Sequence, residues 1–178
     1  MKGLILITGA SSGIGKALAE KFYSNGWTVI AAARRIKLLS VKDLNKGGKG
    51  KYIPLKLDIT NKNEVKKSFK KSFTKLGFPD IIVLNAGTNN PNSKNIVNID
   101  EIKNIYNVNF FGTINCIQTI LDLVKIKKKP SQMAIVSSVA GYRGLPYASA
   151  YCSSKSALIN FAESIYHQCR HIGINIRL

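Results

Sequence analysis

The sequence has little negative charge. Asp and Glu number nine against 27 Lys and Arg, which leaves a formal charge of +18 over 178 residues. Cysteine is scarce: Cys116, Cys152 and Cys169 are the three present, and there are two histidines. None of the cysteines stands at C-x-x-C spacing, so neither a zinc site nor a dithiol pair is spelled out. An odd count without a disulfide framework fits a reducing compartment, and the chain is read as cytoplasmic. No apolar run reaches the ~18 residues of a membrane span. The first apolar segment is short and passes straight into a glycine turn, unlike a signal peptide. No metal and no membrane are expected. The basic balance invites a nucleic-acid reading. The lysines are scattered, however, with short clusters at Lys66-Lys67, Lys70-Lys71 and Lys127-Lys128-Lys129, and no ribonucleoprotein motif, zinc finger or basic zipper is present. Specific nucleic-acid binding is therefore not expected, whereas so positive a field would attract a small polyanion.

What is present begins at Thr8-Gly9-Ala10-Ser11-Ser12-Gly13-Ile14-Gly15. This turn follows the apolar run Leu4-Ile5-Leu6-Ile7 and opens a helical pattern at about 13–25 that stops near Asn25-Gly26. Strand, glycine turn and helix in that order make a phosphate-binding turn. One glycine can take positive φ, one lets backbone approach a pyrophosphate, and one lets the helix lie on the strand. The helix N-terminus then faces the anion. The spacing is G-x-x-x-G-x-G, and an ordinary tight turn stays open as the alternative. A second strand, 27–33, completes a βαβ unit and ends in Arg34-Arg35. An acidic residue there would favour a free ribose hydroxyl, whereas a guanidinium suits a phosphate. NADP(H) is therefore expected over NAD(H), with Arg34 the main contact and Arg35 beside it.

Further along, a helix is expected at about 36–45 and a flexible loop at Lys46-Gly47-Gly48-Lys49-Gly50. Strand three is Tyr52-Ile53-Pro54-Leu55-Lys56-Leu57, an edge strand by its Pro54. Asp58 at its end is either a turn carboxylate or an adenine contact. A basic amphipathic helix, about 61–76, carries Val65, Phe69, Phe73 and Leu76 on one stripe. Strand four, 80–84, ends in Asn85-Ala86-Gly87, followed by an asparagine-rich loop at 88–95. A long helical pattern over about 99–126 encloses Asn109 among apolar neighbours, where an amide needs a partner or a task. Strand five, 133–136, ends at Ser137-Ser138. Tyr151-Cys152-Ser153-Ser154-Lys155 opens a helix to about 170, and 174–178 begins strand six. The i,i+4 spacing puts Tyr151 and Lys155 on one helix face. An ammonium near a phenol favours the phenolate, which suits acid–base chemistry.

These residues together resemble the short-chain dehydrogenase/reductase family, in the subgroup with T-G-x-x-x-G-x-G and Y-x-x-x-K. From Ser138 to Tyr151 is 13 positions (151 − 138), the interval usual in that family. The resemblance implies an α/β Rossmann-type doubly wound parallel sheet with strand order 3-2-1-4-5-6. It implies Ser138, Tyr151, Lys155 and Asn109 as catalytic residues. Cofactor contacts would come from Gly9, Ser11, Ser12, Gly13, Ile14, Gly15, Arg34, Arg35, Asp58, Ile59, Asn85, Ala86, Gly87, Tyr151 and Lys155. Tyr151 would transfer the proton, Ser138 fix the substrate oxygen, Lys155 hold the nicotinamide ribose, and Asn109 keep a relay water. A homodimer through helices about 99–126 and 150–170 is implied, and a small carbonyl or alcohol substrate facing Tyr142, Leu145, Pro146 and Tyr147. Relatives of this kind run on through a substrate lid and a seventh strand. Residues 1–178 are thus expected to be a single NADP-binding domain truncated before strand seven, without its lid. The alternative expectation is a truncated member that binds cofactor without catalysis, or a non-enzymatic binding protein.

Overall fold

The computed structural model describes residues 2–39, 50–90, 96–124 and 130–178. Apolar runs that do not alternate become strands buried on both faces. Leu4–Thr8 (β1) and Thr28–Ala33 (β2) are buried at every residue. With Lys51–Lys56 (β3), Ile81–Leu84 (β4), Ser131–Ile135 (β5) and Ile174–Arg177 (β6) they form one sheet. The order is β3-β2-β1-β4-β5-β6, as the family resemblance implies. Every neighbouring pair is parallel. The chain moves outward from β1 through β2 to β3, then crosses back to β4 on the other side of β1. That reversal opens a crevice at the carboxyl ends of β1 and β4, where ligands of open α/β sheets bind.

The pleat sorts β1 between two cores. Ile5 and Ile7 pack with Val29, Ala31 and Ala19 of the helix Gly13–Ser24 (α1). Leu4 and Leu6 face the opposite layer. There they meet Val65, Phe69 and Phe73 of Lys62–Leu76 (α2), the stripe that the periodicity predicts. Asn61 starts α2 by accepting the Glu64 N–H. The same layer holds Ile117 and Ile120 of Thr113–Leu123 (α4) and Leu158 of Ser149–His171 (α5). The N–H groups of Lys51 and Leu57 bond the Trp27 and Ala33 carbonyls, at 3.2 and 3.1 Å. Odd-numbered residues of β3 therefore face β2, and the nitrogen of Pro54 faces the open edge, where no donor is needed. Among the described residues no helix is long and apolar enough to cross a membrane.

Two elements differ from expectation. In the described part of the helix expected over 36–45, Ile36–Leu38 forms a 3-10 turn. The Leu39 N–H bonds the Ile36 carbonyl at 2.9 Å, which turns the Leu39 side chain into the core. Residues 40–49, with most of the expected glycine loop, lie outside the described residues. The long helix over 99–126 is not uniform either. Ile99–Tyr106 (α3) passes into a π-helical segment, Asn107–Gly112, before α4. The wider turn rotates Asn109 fully into the interior. Lys127-Lys128-Lys129 and most of the asparagine-rich loop are outside the described residues.

Phe69 is wholly buried and stacks on Phe73 with ring centroids 5.4 Å apart. Phe69→Ala should cost about 3–5 kcal/mol in urea unfolding. Lys70→Ala, at an exposed position of the same helix, should stay within about 0.5 kcal/mol. Equal losses would contradict the placement of this core.

Candidate active site

The crevice is built from the junction of β1 and β4. Thr8, buried at the end of β1, accepts the Asn85 N–H at 3.0 Å and the Ala86 N–H at 3.2 Å on its Oγ1. Asn85 answers with its Nδ2, which donates to the Thr8 and Gly9 carbonyls at 3.1 and 3.4 Å. Gly9 has φ +69°, and a Cβ there would stand 2.7 Å from the Ala86 Cα. A Cβ on Gly15 would strike the Gly9 carbonyl and the Asn85 amide, so α1 can begin hard against the turn. The helix start is left open: Ser12 makes no side-chain capping bond and no acidic residue occupies the first turn. Gly13, at φ +54°, faces empty space. Uncapped N–H groups at the positive end of a helix dipole form a site for an anion.

A cleft of about 430 Å³ lies over this turn, within the range of cofactor sites. Its lining includes Gly9, Ser11, Ser12, Gly13, Ile14, Arg34, Arg35, Asp58, Ile59, Asn85, Ala86 and Gly87. Of the residues expected at the cofactor, Gly15, Tyr151 and Lys155 are outside that lining, Gly15 being packed behind the turn. Arg34 and Arg35 are both exposed at the mouth, and the Arg35 Nη2 reaches the Ser12 Oγ at 3.4 Å. Asp58 makes a local turn, its Oδ1 accepting the Thr60 N–H at 3.0 Å and the Thr60 hydroxyl at 2.7 Å. The turn role is therefore occupied by one carboxylate oxygen. Asn85 borders the cleft while its amide nitrogen is engaged by the turn.

A second group of side chains converges beyond Gly87. Lys155 is 4% exposed, and its Nζ donates to the Val136 carbonyl at 2.9 Å. The same nitrogen lies 5.7 Å from the centre of the Tyr151 ring. Burial lowers the Lys155 pKa from its usual range. Asn109 Oδ1 accepts the Thr88 N–H at 2.7 Å, and its Nδ2 donates to the Thr88 carbonyl at 2.9 Å and the Ser154 Oγ at 3.1 Å. The Ser154 hydroxyl in turn donates a hydrogen bond to the Tyr151 carbonyl at 2.7 Å. A Cβ built on Gly87 would be 3.3 Å from Asn109 Oδ1 and 3.5 Å from Lys155 Nζ, so the two clusters meet there. Ser138 caps the 3-10 turn Val139–Gly141, its Oγ accepting the Ala140 N–H at 3.2 Å and keeping its proton to donate.

A cavity of about 270 Å³ beside Tyr151 is lined by Ile96, Ile105, Leu145 and Tyr147 among others. Leu145 and Tyr147 thus lie where the expected apolar wall was placed. Tyr142 opens on a different face, and Pro146 lines neither hollow. The Leu145 N–H is held by the Cys152 Sγ at 3.3 Å. Sequence reasoning missed Thr88, Ser137, Gly141 and Ser154. The Ser137 Oγ donates to the Lys155 carbonyl at 3.1 Å. A Cβ on Gly141 would meet that carbonyl at 3.1 Å, so the absence of a side chain lets the Ser138 turn close on α5. Ser154 was legible only as a polar residue inside the Tyr151–Lys155 turn.

An uncapped helix end over the switch point of a parallel sheet, with Tyr151 and Lys155 beyond Gly87, is an α/β arrangement open to an anionic ligand. The short chain dehydrogenase family matches residues 3–178, and the chain belongs to that family. It is 32% identical over 176 residues to oxidoreductase BOA17 of Botryotinia fuckeliana, covering 99% of this chain and 64% of that protein. It is 32% identical over 162 residues to an NADPH-dependent pterin aldehyde reductase of Arabidopsis thaliana, covering 90% of this chain and 66% of that one. The crystal structure of a short-chain type dehydrogenase/reductase from Mycobacterium marinum superposes with a TM-score of 0.88 at 27% identity, over 97% of this chain and 71% of that one. The chain therefore spans about two thirds of the length of these two curated relatives.

Thr8→Val should destabilise the fold by about 1–3 kcal/mol in urea, because the Asn85 and Ala86 N–H groups lose their acceptor. Thr8→Ser should recover most of the loss, and equal stability of all three proteins would remove the junction's importance. Lys155 gives a pH signature. With its folded pKa below the ~10.4 of the unfolded chain, the unfolded state binds more protons between the two values. The residue's contribution to stability is therefore smallest below the folded pKa and rises as pH climbs through it. The stability difference between wild type and Lys155→Met should move in favour of wild type from about pH 7 to about pH 10. A difference that does not change with pH would contradict the lowered value.

Proposed function

We propose that the chain is the cofactor-binding and catalytic part of an NADP(H)-dependent oxidoreductase that interconverts a carbonyl and an alcohol. The observation that carries this reading is the meeting, at Gly87, of the open phosphate cradle with the Lys155–Asn109 cluster beside Tyr151. The residues fit a dinucleotide. The pyrophosphate would rest on the N–H groups that Gly13 leaves accessible, and the adenosine would lie toward Asp58 and Ile59. When bound, the nicotinamide supplies or accepts the hydride. Arg34 and Arg35 line the same cleft at the end of β2 and would take a 2′-phosphate, since a guanidinium binds phosphate through charge and fork geometry. The NADPH-dependent Arabidopsis relative is consistent with that preference.

The protein's own task is positioning and proton transfer. The Tyr151 hydroxyl gives its proton to the substrate oxygen in reduction and takes it back in oxidation. Ser138, already accepting a backbone N–H, donates to the same oxygen. The Lys155 ammonium, 5.7 Å from the centre of the Tyr151 ring, would hold the nicotinamide ribose. Asn109 is assigned a relay water over Gly87, bordering both Asn109 Oδ1 and Lys155 Nζ, and its amide also fixes the Thr88 backbone. The cavity lined by Ile96, Ile105 and Leu145 suits a substrate with an apolar substituent. Phe111, 55% exposed on the π-helical segment, supports a homodimer through that helical run and α5.

Two measurements test this. In a screen of aldehydes and ketones followed by NADPH absorbance, Tyr151→Phe should lower turnover by about 10²–10⁴-fold. NADPH affinity should stay within about twofold; unchanged turnover would refute the assignment of Tyr151. Separately, Arg34→Ala should weaken NADPH binding by about tenfold, the loss of one charge-assisted contact. NADH binding should hardly move. Equal losses for both cofactors, or a larger loss in Arg35→Ala alone, would take the phosphate contact away from Arg34.

A further inference from the structure

The basic stripe of α2 overhangs a hollow that the proposed reaction does not use. At the β3 edge of the sheet, a groove of about 410 Å³ runs between that strand and α2. Its floor is apolar: Ile53 and Leu55 point to the α2 face, and Leu76 closes one end. All three are half-buried rather than buried, and among the described residues no strand lies beyond β3 to bring a further helix over them. The rim is cationic. Lys67, Lys71 and Lys75 recur every four residues along α2, and Lys51 faces them from β3. Ser68 and Ser72 add hydroxyls between the ammonium groups. Among the described residues no carboxylate lines the groove, and none pairs with these four lysines.

We infer that this groove binds a single-chain anionic amphiphile, an alkyl carboxylate, with its chain on Ile53, Leu55 and Leu76 and its head on the lysine row. Charge complementarity selects the occupant: a bare cationic rim over an apolar floor matches an anionic head on an apolar tail, whereas a neutral or cationic ligand leaves the rim unpaired. The shape excludes the other anionic candidates. A hollow of this size belongs to small-molecule sites rather than to a surface that lies on a bilayer. A peptide adding itself to β3 would meet Pro54, which offers no outward N–H at the middle of that edge. The inference is independent of the proposed oxidoreductase activity, since the groove shares no lining residue with the cofactor cleft.

The test is calorimetric titration of the whole chain with decanoate below its micelle concentration, with decylammonium, decanol and phosphatidylserine vesicles as separate arms. Decanoate should bind once per chain. The K67E/K71E variant should lose at least tenfold in affinity, since two cations beside the head are replaced by like charge. The K66E/K70E variant, with the same net charge change outside the groove, should bind as wild type. Decylammonium and decanol should bind at least tenfold more weakly, about 1.4 kcal/mol. Saturating NADPH should not displace decanoate. Equal losses in the two charge-reversed variants would reduce the effect to net charge and overturn the site. So would equal binding of decylammonium, displacement by NADPH, or binding of vesicles without binding of decanoate. A Ser72→Trp variant, which fills the groove while leaving its charge intact, should also abolish decanoate binding; unaltered affinity in that variant would likewise overturn it.

Discussion

The bonds between Thr8 and Asn85 hold the two halves of the crevice in register. Thr8 ends β1 and Asn85 follows β4, and four hydrogen bonds join them and their neighbours Gly9 and Ala86. Parallel strands on their own leave their carboxyl ends free to diverge into separate loops. Here the first loop is tied to the fourth, which fixes the path of residues 9–12 and hence the point at which α1 starts. Gly15 completes the constraint, since a side chain there would push α1 away from the Gly9 carbonyl. The exposed positive helix end is thus a consequence of the junction, and the cleft's electrostatics follow from its geometry.

The second cluster depends on the same crevice. Asn109 clamps both backbone groups of Thr88, so the chain leaving Gly87 is held where it passes the cleft. The π-helical turn is what brings Asn109 inside, and local widening of this kind recurs at functional positions in helices. From Asn109 the polar contacts continue through Ser154 to the Tyr151 backbone. Lys155 is anchored separately, by Val136 at its ammonium and by Ser137 at its carbonyl. Burying an ammonium costs free energy unless it is hydrogen-bonded, and the Val136 carbonyl supplies that partner. The tyrosine and lysine are therefore set by contacts from β4, β5 and the π-helical segment, not by their helix alone.

Much of the sheet was legible in the sequence because its signals are local. Fully apolar runs mark β1 and β2, the Val65-Phe69-Phe73 stripe marks α2, and Pro54 marks an edge. The glycine turn and the Tyr151–Lys155 spacing are likewise short-range patterns. What escaped reading depends on distant partners. At Ile36–Leu38 the expected helical pattern takes a 3-10 form, and the Leu39 side chain enters the core. The π-helical widening has no local propensity signal beyond an asparagine among apolar residues. Asp58 could be read as turn or contact, and only the fold shows one oxygen committed to Thr60. Thr88 and Ser154 gain meaning solely through Asn109, 21 and 45 residues away.

The central claim is that the pinned turn is the phosphate cradle of a nicotinamide cofactor. The most direct measurement is a calorimetric comparison of NADPH binding by the wild-type chain and by Gly13→Val, a change at the open face of the cradle. A Cβ there meets no other protein atom within 4 Å, yet a side chain would stand at the open face of the cradle and must adopt φ +54°. The account predicts one NADPH per wild-type chain and loss of most of that affinity in the variant, with the folded signal retained. Equal affinity in the two proteins, or no binding by a folded wild-type chain, would contradict it.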